Sequence, residues 1–394
     1  MGGRSRAGWF LALAGGGLIL SLTLWPTGVD SLEEIPFWCV LCGSRDLADA
    51  FLNVLLFTPF GAGLALVRGP WLALAGSGAL SGSVELAQTF LPGRFPSLGD
   101  LLMNTAGGVM GGLLATRMGR IRSLLVAPPR SLRLLALLLP AAAFLASAAL
   151  SSPRLPGGVL YGQWARELGH LRAYPGTVLG ASVGDVPVPD TRVPVQEPLR
   201  EALRALEPLD VTFVAGPAPQ ERSHLFAIFD HQQQGVMLLT VVGEDLVFQR
   251  RTLSVPLLLD QPFVRWRRGL AVTEGDTVTI RVWQGERDLC VGIDARIRCD
   301  LSSGVEGGWR LIHRLFRAPA FLEGMLGALW LVLLSLPAGV TAGGRRGALT
   351  LGAGLAILGA LVSWYSPWLS VGSPALVAPV AGAWIGSLVR RGLA

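Results

Sequence analysis

Lysine is missing altogether, so all 33 basic residues of this 394-residue chain are arginine. Charge of either sign is scarce at 15%, whereas soluble globular chains carry about a quarter. Half the residues are hydrophobic and mean hydropathy is +0.51, which excludes an ordinary soluble composition and points to lipid. The net charge of +6 invites a nucleic-acid reading. The arginines, however, sit at the ends of apolar runs, where they orient helices in a bilayer, so nucleic acid is not expected as a partner. Histidine is rare, and all four (His170, His224, His231, His313) lie beyond position 150. A Ser-His-Asp hydrolase built in the N-terminal third is therefore not expected. No His-Glu-x-x-His pair or Walker loop is present, which argues against a zinc peptidase and an ATP-driven pump.

What the chain has in quantity is long apolar runs. A spanning helix needs about 20 mostly apolar residues. Candidates cover 9–25, 50–67, 71–91, 101–116 and 134–150, then 320–336, 347–364 and 375–389. The first run follows Arg4 and Arg6 like a signal peptide, but Leu24-Trp25-Pro26 offers no small-residue cleavage site, so it reads as an uncleaved anchor. Arginines in short loops tend to stay cytoplasmic. With the N-terminus inside, Arg4, Arg6, Arg68, Arg117, Arg120, Arg122, Arg130, Arg133, Arg345, Arg346, Arg390 and Arg391 fall on one side. Only Arg45 and Arg94 occupy the short opposite loops. The expectation is a multi-pass protein of the cell membrane with both termini cytoplasmic. Trp25, Trp38, Trp364 and Trp368 then mark the outer interface.

The polar interval between the two sets of runs falls outside the membrane. Strands are expected at 209–214, 224–230, 236–242, 246–251 and 277–283, with a helical turn or two over 197–206. The stretches VTFVAGPAPQERSHLFAIFD, GVMLLTVVGEDLVFQRR and RVWQGERDLCVGIDARIRC resemble the concanavalin A-like (laminin G-like) jelly roll. That resemblance implies an all-β sandwich of a kind that often binds carbohydrate, beside the plainer reading of a structural or protein-binding module. The fold class expected is thus a polytopic α-helical membrane protein of about eight spans with an extracytoplasmic β domain. Its divisions are 1–150 (five spans), 151–318 (β domain) and 319–394 (three spans).

Four cysteines fall outside under this topology, where disulfides persist. Cys290 and Cys299 bracket VGIDARIR; a two-residue turn at Asp294-Ala295 sets them opposite one another in a hairpin, the geometry of a disulfide. Cys39 and Cys42 read first as a local disulfide, with a redox pair or half a metal site as alternatives. A zinc site needs two further ligands, and the only histidines are remote, so no metal or other cofactor is expected.

Charged groups inside spans are costly and usually functional. Asp49 and Asn53 lie one turn apart, as do Asp100 and Asn104, while Ser81, Glu85 and Gln88 share a face and are followed by Pro92 and Arg94. Under the topology above, all lie toward the outer ends of their helices. The string Asn53, Pro59-Phe60-Gly61, Glu85, Gln88, Pro92-Gly93-Arg94, Asp100, Asn104 and Gly107 resembles the VanZ-like family. The resemblance covers about 9–150; the β insertion and last three spans depart from the family pattern. It implies an envelope protein connected with susceptibility to teicoplanin-type glycopeptides.

Read from the residues, Glu85 and Asp100 are the candidate catalytic or cation-binding carboxylates. Asn53, Gln88, Arg94 and Asn104 are the candidate binding residues, Arg94 steering phosphate or carboxylate. The partner would be a membrane lipid, a lipid-linked precursor or cell-wall glycan, and whether a reaction occurs is left open. The plainer reading makes Glu85–Arg94 and Asn53–Asp100 interhelical pairs, with Gly107, Gly108, Gly111 and Gly112 as packing contacts and Pro59 and Gly61 bending the second span. A secondary transporter would show internal repeats, and none is seen. A third class is a membrane-anchored, glycan-binding scaffold whose jelly roll carries the function.

Overall fold

The computed structural model describes residues 3–25, 36–38, 40, 41, 43, 45–91, 94–164, 172–286, 288–313, 315 and 318–393. Cys39 and Cys42 lie outside the described residues, as do Pro92, Gly93 and His170. The chain forms two units: the first is essentially residues 1–130, and the second runs from Ser131 to Val389.

The first unit contains α1 (Gly3–Thr23), α2 (Asp46–Arg68), α3 (Pro70–Gln88), α4 (Leu98–Thr116) and the short α5 (Met118–Val126). A single residue, Gly69, connects α2 to α3. Its φ of 88° is open to glycine, and Pro70 starts the next helix with a preset φ. Backbone approach is closest between α2 and α4. A methyl added at Gly107 would strike the Val54 carbonyl, one at Gly111 the Thr58 carbonyl, and one at Gly61 the Gly108 carbonyl. These contacts run in parallel register. Gly61 therefore serves helix packing, as Gly107, Gly108, Gly111 and Gly112 of α4 do. Against α1, Gly63 leaves 2.5 Å between its missing methyl and the Ala12 nitrogen.

The second unit opens with α6 (Arg130–Leu150) and continues into β1 (Leu160–Gln163), β2 (Thr177–Val183), β3 (Val186–Pro187), α7 (Gln196–Arg204), β4 (Leu209–Val214), β5 (Ser223–Asp230) and β6 (Gly235–Val242). After these come β7 (Asp245–Arg250), β8 (Phe263–Trp266), β9 (Thr277–Gln284), β10 (Leu289–Ile293) and β11 (Arg296–Arg298). The strands form two antiparallel sheets, ordered β1-β5-β6-β7-β8 and β11-β10-β9-β4-β2-β3. Alternation drives the packing. In β4, Leu209, Val211 and Phe213 are buried while their neighbours are partly exposed. Residues of both sheets, among them Phe213, Phe226, Leu239, Ile280 and Val291, share one core cluster. The five strands expected from sequence are present with ends within a residue, and the expected helical turn is α7.

Register Val291↔Arg298 through Ile293↔Arg296 leaves Asp294-Ala295 as the turn, with Asp294 at φ 51°. Continued by one pair, it joins Cys290 to Cys299 in a disulfide with Cα atoms 4.0 Å apart.

The unit closes with a 3₁₀ segment (Val305–Leu311), α8 (Ala320–Thr341), α9 (Arg345–Tyr365) and α10 (Ser373–Leu393). Glycines again set the packing. A methyl at Gly339 would meet the Ala383 carbonyl, and one at Gly386 the Leu336 carbonyl. Glu323, in the first turn of α8, accepts from Arg267 at 3.0 Å, Arg310 at 3.2 Å and Arg265 at 3.4 Å. An acid at a helix N-terminus also complements the helix dipole, so α8 begins on a fixed electrostatic anchor.

Among the described residues, five helices are long and apolar enough to cross a membrane: α1, α2, α6, α8 and α9. Their outward faces carry Phe10, Leu13, Leu138 and Phe321, each more than 60% exposed, as lipid-facing surfaces do. The remaining three runs are helical too, but α3 carries a polar stripe, α4 is dense in glycine, and α10 ends on Arg390 and Arg391.

Two outcomes follow. Gly111→Ala is expected to destabilise the detergent-solubilised protein by about 1–3 kcal/mol through overpacking, while Gly82→Ala, whose methyl meets nothing within 4 Å, leaves thermal unfolding unchanged or slightly raised. Peptide mapping under non-reducing conditions is expected to recover Cys290 linked to Cys299. Replacing both with Ser should cost about 2–3 kcal/mol, the loop entropy of so short a ring.

Candidate functional site

Antiparallel packing of α3 on α4 turns the spacing of the α3 polar residues into a ladder. Ser77 lies against Gly108, and Ser81 Oγ accepts from Asn104 Nδ2 at 3.0 Å. One turn further, Glu85 Oε2 accepts from the Ser97 backbone N–H at 2.8 Å. Ser77, Ser81, Glu85, Gln88 and Asn104 are all buried, at 6% exposure or less. Ser97 itself is the N-cap of α4, its hydroxyl accepting from the Asp100 N–H at 3.4 Å. Glu85 is thus fixed to the residue that starts the helix bearing Asp100, and the two carboxylates are within electrostatic reach of each other.

Asp100 Oδ1 accepts from Asn53 Nδ2 at 2.7 Å, joining α4 to α2. Arg94 lies within electrostatic reach of Asp100 but makes no ion pair among the described residues. Its Nε donates to the Trp25 carbonyl at 3.1 Å and its Nη2 to the carbonyls of Leu22 and Trp25, both at 3.0 Å. Gln88 Nε2 donates to the Thr23 carbonyl at 3.1 Å. Both residues cap the end of α1, whose last carbonyls have no partner within the helix.

The six candidate residues therefore divide. Asn53–Asp100 is an interhelical pair, Gln88 and Arg94 close α1, and Asn104 bonds Ser81. Among the described residues, Glu85 keeps a carboxylate with one backbone donor and no cation, and two buried atoms, Asn104 Oδ1 and Ser77 Oγ, have no hydrogen-bond partner. Ser97 was not singled out from sequence. The signal that locates it is a serine directly before the Leu98-Gly99-Asp100 helix start, a capping position with an acid in the first turn.

All six residues lie on α2, α3, α4 or the connection between the last two, and a family comparison covers that stretch. Residues 18–120 match the VanZ/LLP1 family model. The VanZ/LLP1 segment is about a quarter of the chain and holds every residue of the ladder, while the β domain and α6 to α10 lie beyond it. The VanZ family is associated with teicoplanin resistance, which supports an envelope protein of this type. No curated protein and no solved structure matches the chain.

Outside the VanZ/LLP1 segment, Gly180-Ala181-Ser182-Val183-Gly184 spells Gly-x-Ser-x-Gly. It runs through β2, with Ser182 paired to Asp210 and Pro187 in neighbouring strands. A nucleophile elbow needs a strand-to-helix turn, so this serine is not one. Among the described residues, no group of three or more His, Cys, Asp or Glu is placed to hold a metal ion.

A double-mutant cycle on Asn53→Ala and Asp100→Ala, read by unfolding in detergent, is expected to give a coupling of about 0.5–1.5 kcal/mol, the range for hydrogen bonds between membrane helices. Asn53→Ala with Gln88→Ala, which share no partner, should be additive.

Proposed function

We propose that this is a multi-pass envelope protein in which all eight apolar helices cross the membrane, both termini are cytoplasmic and the β domain is extracytoplasmic. In this reading the VanZ/LLP1 segment binds the polar head of a lipid, or a lipid-linked glycan precursor, at the outer leaflet. The observation that carries it is Glu85, a buried carboxylate in an apolar bundle with, among the described residues, a single backbone donor and no counter-ion. A carboxylate kept only to hold helices together would be paired; the nearby arginine instead serves the carbonyls of α1.

Asp100 within electrostatic reach of Glu85 adds a second acidic group, and the unmatched Asn104 Oδ1 and Ser77 Oγ add unused hydrogen-bonding capacity. Glu85 would serve as cation partner or as acid and base, with Asp100 beside it. Arg94 retains Nη1 for a phosphate or carboxylate, and Asn53, Gln88 and Asn104 orient the head group. The family association extends the proposal to susceptibility toward teicoplanin-type glycopeptides. A glycan-binding scaffold is the competing reading, and a single experiment separates the two.

Wild type, Glu85→Gln, Asp100→Asn and a deletion of residues 152–317 are expressed in a host lacking the gene, and only variants that reach the membrane are compared. Loss of the teicoplanin phenotype in both point variants, with retention in the deletion, is the expected outcome. The reverse pattern would sink the site assignment and leave an anchored β module as the functional part.

A further inference from the structure

The second unit contains a cavity of about 60 Å³ whose lining includes Ser147, Arg250, Ser303, Gly308, Arg310 and Trp368. Two arginines line it and no acidic residue does. Arg250 is the last residue of β7, two positions beyond Phe248 on the face that packs into the β core. The pleat therefore sets its side chain at the open end of that core, with its guanidinium 4.3 Å from the centre of the Trp368 ring.

Among the described residues the Arg250 side chain takes part in no hydrogen bond or ion pair. Burial alone pushes its pKa down to about 10, which leaves it charged at neutral pH. Its neighbour Arg251 shows the ordinary solution to the same problem, an ion pair with Asp230 at 2.7 Å. Arg310, the other cation of the cavity, donates to Ser303 Oγ at 2.6 Å and to Glu323 at 3.2 Å, yet its Nε is buried without an acceptor. A desolvated guanidinium with unused N–H groups is costly unless an anion completes it.

We propose that this cavity binds the phosphate group of an anionic membrane phospholipid, held by Arg250 and Arg310. Size and position both favour it. A water needs roughly 10–15 Å³ on the same measure, so the space matches a group of about five heavy atoms. The walls come from the end of α6 (Ser147), the segment before α8 (Ser303, Gly308, Arg310) and the turn after α9 (Trp368). These are the ends of three helices able to cross a membrane, the level at which phosphates lie. An apolar groove of about 510 Å³ along α9 and α10, starting at Trp364 and Tyr365, offers room for an acyl chain. The site is separate from Glu85 and Asp100, so either assignment can fail without the other.

Native mass spectrometry of the full chain in detergent, titrated with phosphatidylglycerol or phosphatidylcholine, tests it, with inorganic phosphate as competitor. Wild type is expected to retain one phosphatidylglycerol in preference to phosphatidylcholine. Arg250→Gln should weaken that binding at least tenfold and Arg250→Lys less, because lysine keeps the charge but not the fork. Arg268→Gln, at an 81% exposed side chain, should bind as wild type. Equal retention by wild type and a folded Arg250→Gln would overturn the proposal. So would a site that takes inorganic phosphate and no lipid. If Arg250→Gln does not fold, Arg250→Lys carries the comparison, and unchanged lipid affinity in it together with no lipid preference in wild type overturns the proposal equally.

Discussion

The first unit depends on how closely two helix backbones can approach. In an apolar environment there is no hydrophobic gain in bringing helices together, so contact area and interhelical hydrogen bonds must supply the association. Gly61, Gly107, Gly108 and Gly111 carry no side chain at the α2–α4 contact, and carbonyls of one helix lie where methyl groups of the other would be. That approach fixes register, and the register puts Asn53 opposite Asp100. The polar pair is thus a consequence of glycine spacing about two to three turns away.

Register on the other side of α4 has a similar effect. Ser77, Ser81 and Glu85 recur at four-residue steps on α3, and Gly108, Asn104 and Ser97 answer them in descending order. The Ser81–Asn104 and Glu85–Ser97 rungs each satisfy a group that would be expensive in hydrocarbon, while Ser77 packs on Gly108. At the end of the ladder the chain must also close α1, and Gln88 and Arg94 do so by donating to its last carbonyls. Because Arg94 is engaged there, Glu85 is left without a cation. Helix capping and the isolation of the carboxylate are two sides of one arrangement.

The second unit repeats the glycine device between α8 and α10 and adds a network of arginines around Glu323. That network pairs most of its charges: Arg265 takes both Asp245 and Glu323, and Arg310 takes Glu323. Burial raises the pKa of Glu306 in the neighbouring 3₁₀ segment. Against that economy the unpaired Arg250 stands out, and its stacking on Trp368 orients the group without neutralising it.

Much was legible in the sequence because it rests on local period and composition. Apolar runs gave the helices, alternation gave β4 to β7 and β9, and the spacing of Cys290 and Cys299 about a two-residue turn gave the disulfide. Position also showed that Asn53, Glu85, Asp100 and Asn104 sit near helix ends, since one turn is only about 5.4 Å. What each polar side chain bonds to was not legible. Arg94 offers the same charge to Glu85 or to the two carbonyls of Leu22 and Trp25 at the end of α1, and only the packed distance between helices selects the latter. Short edge strands such as β1, β3 and β11 carry too few residues to show a period, and β2 is broken by Gly180 and a register shift, so pairing alone defined them. Arg250 reads in sequence as a solvated charge at a strand end. It becomes a half-buried cation because residues more than a hundred positions later, Trp368 among them, fold over it.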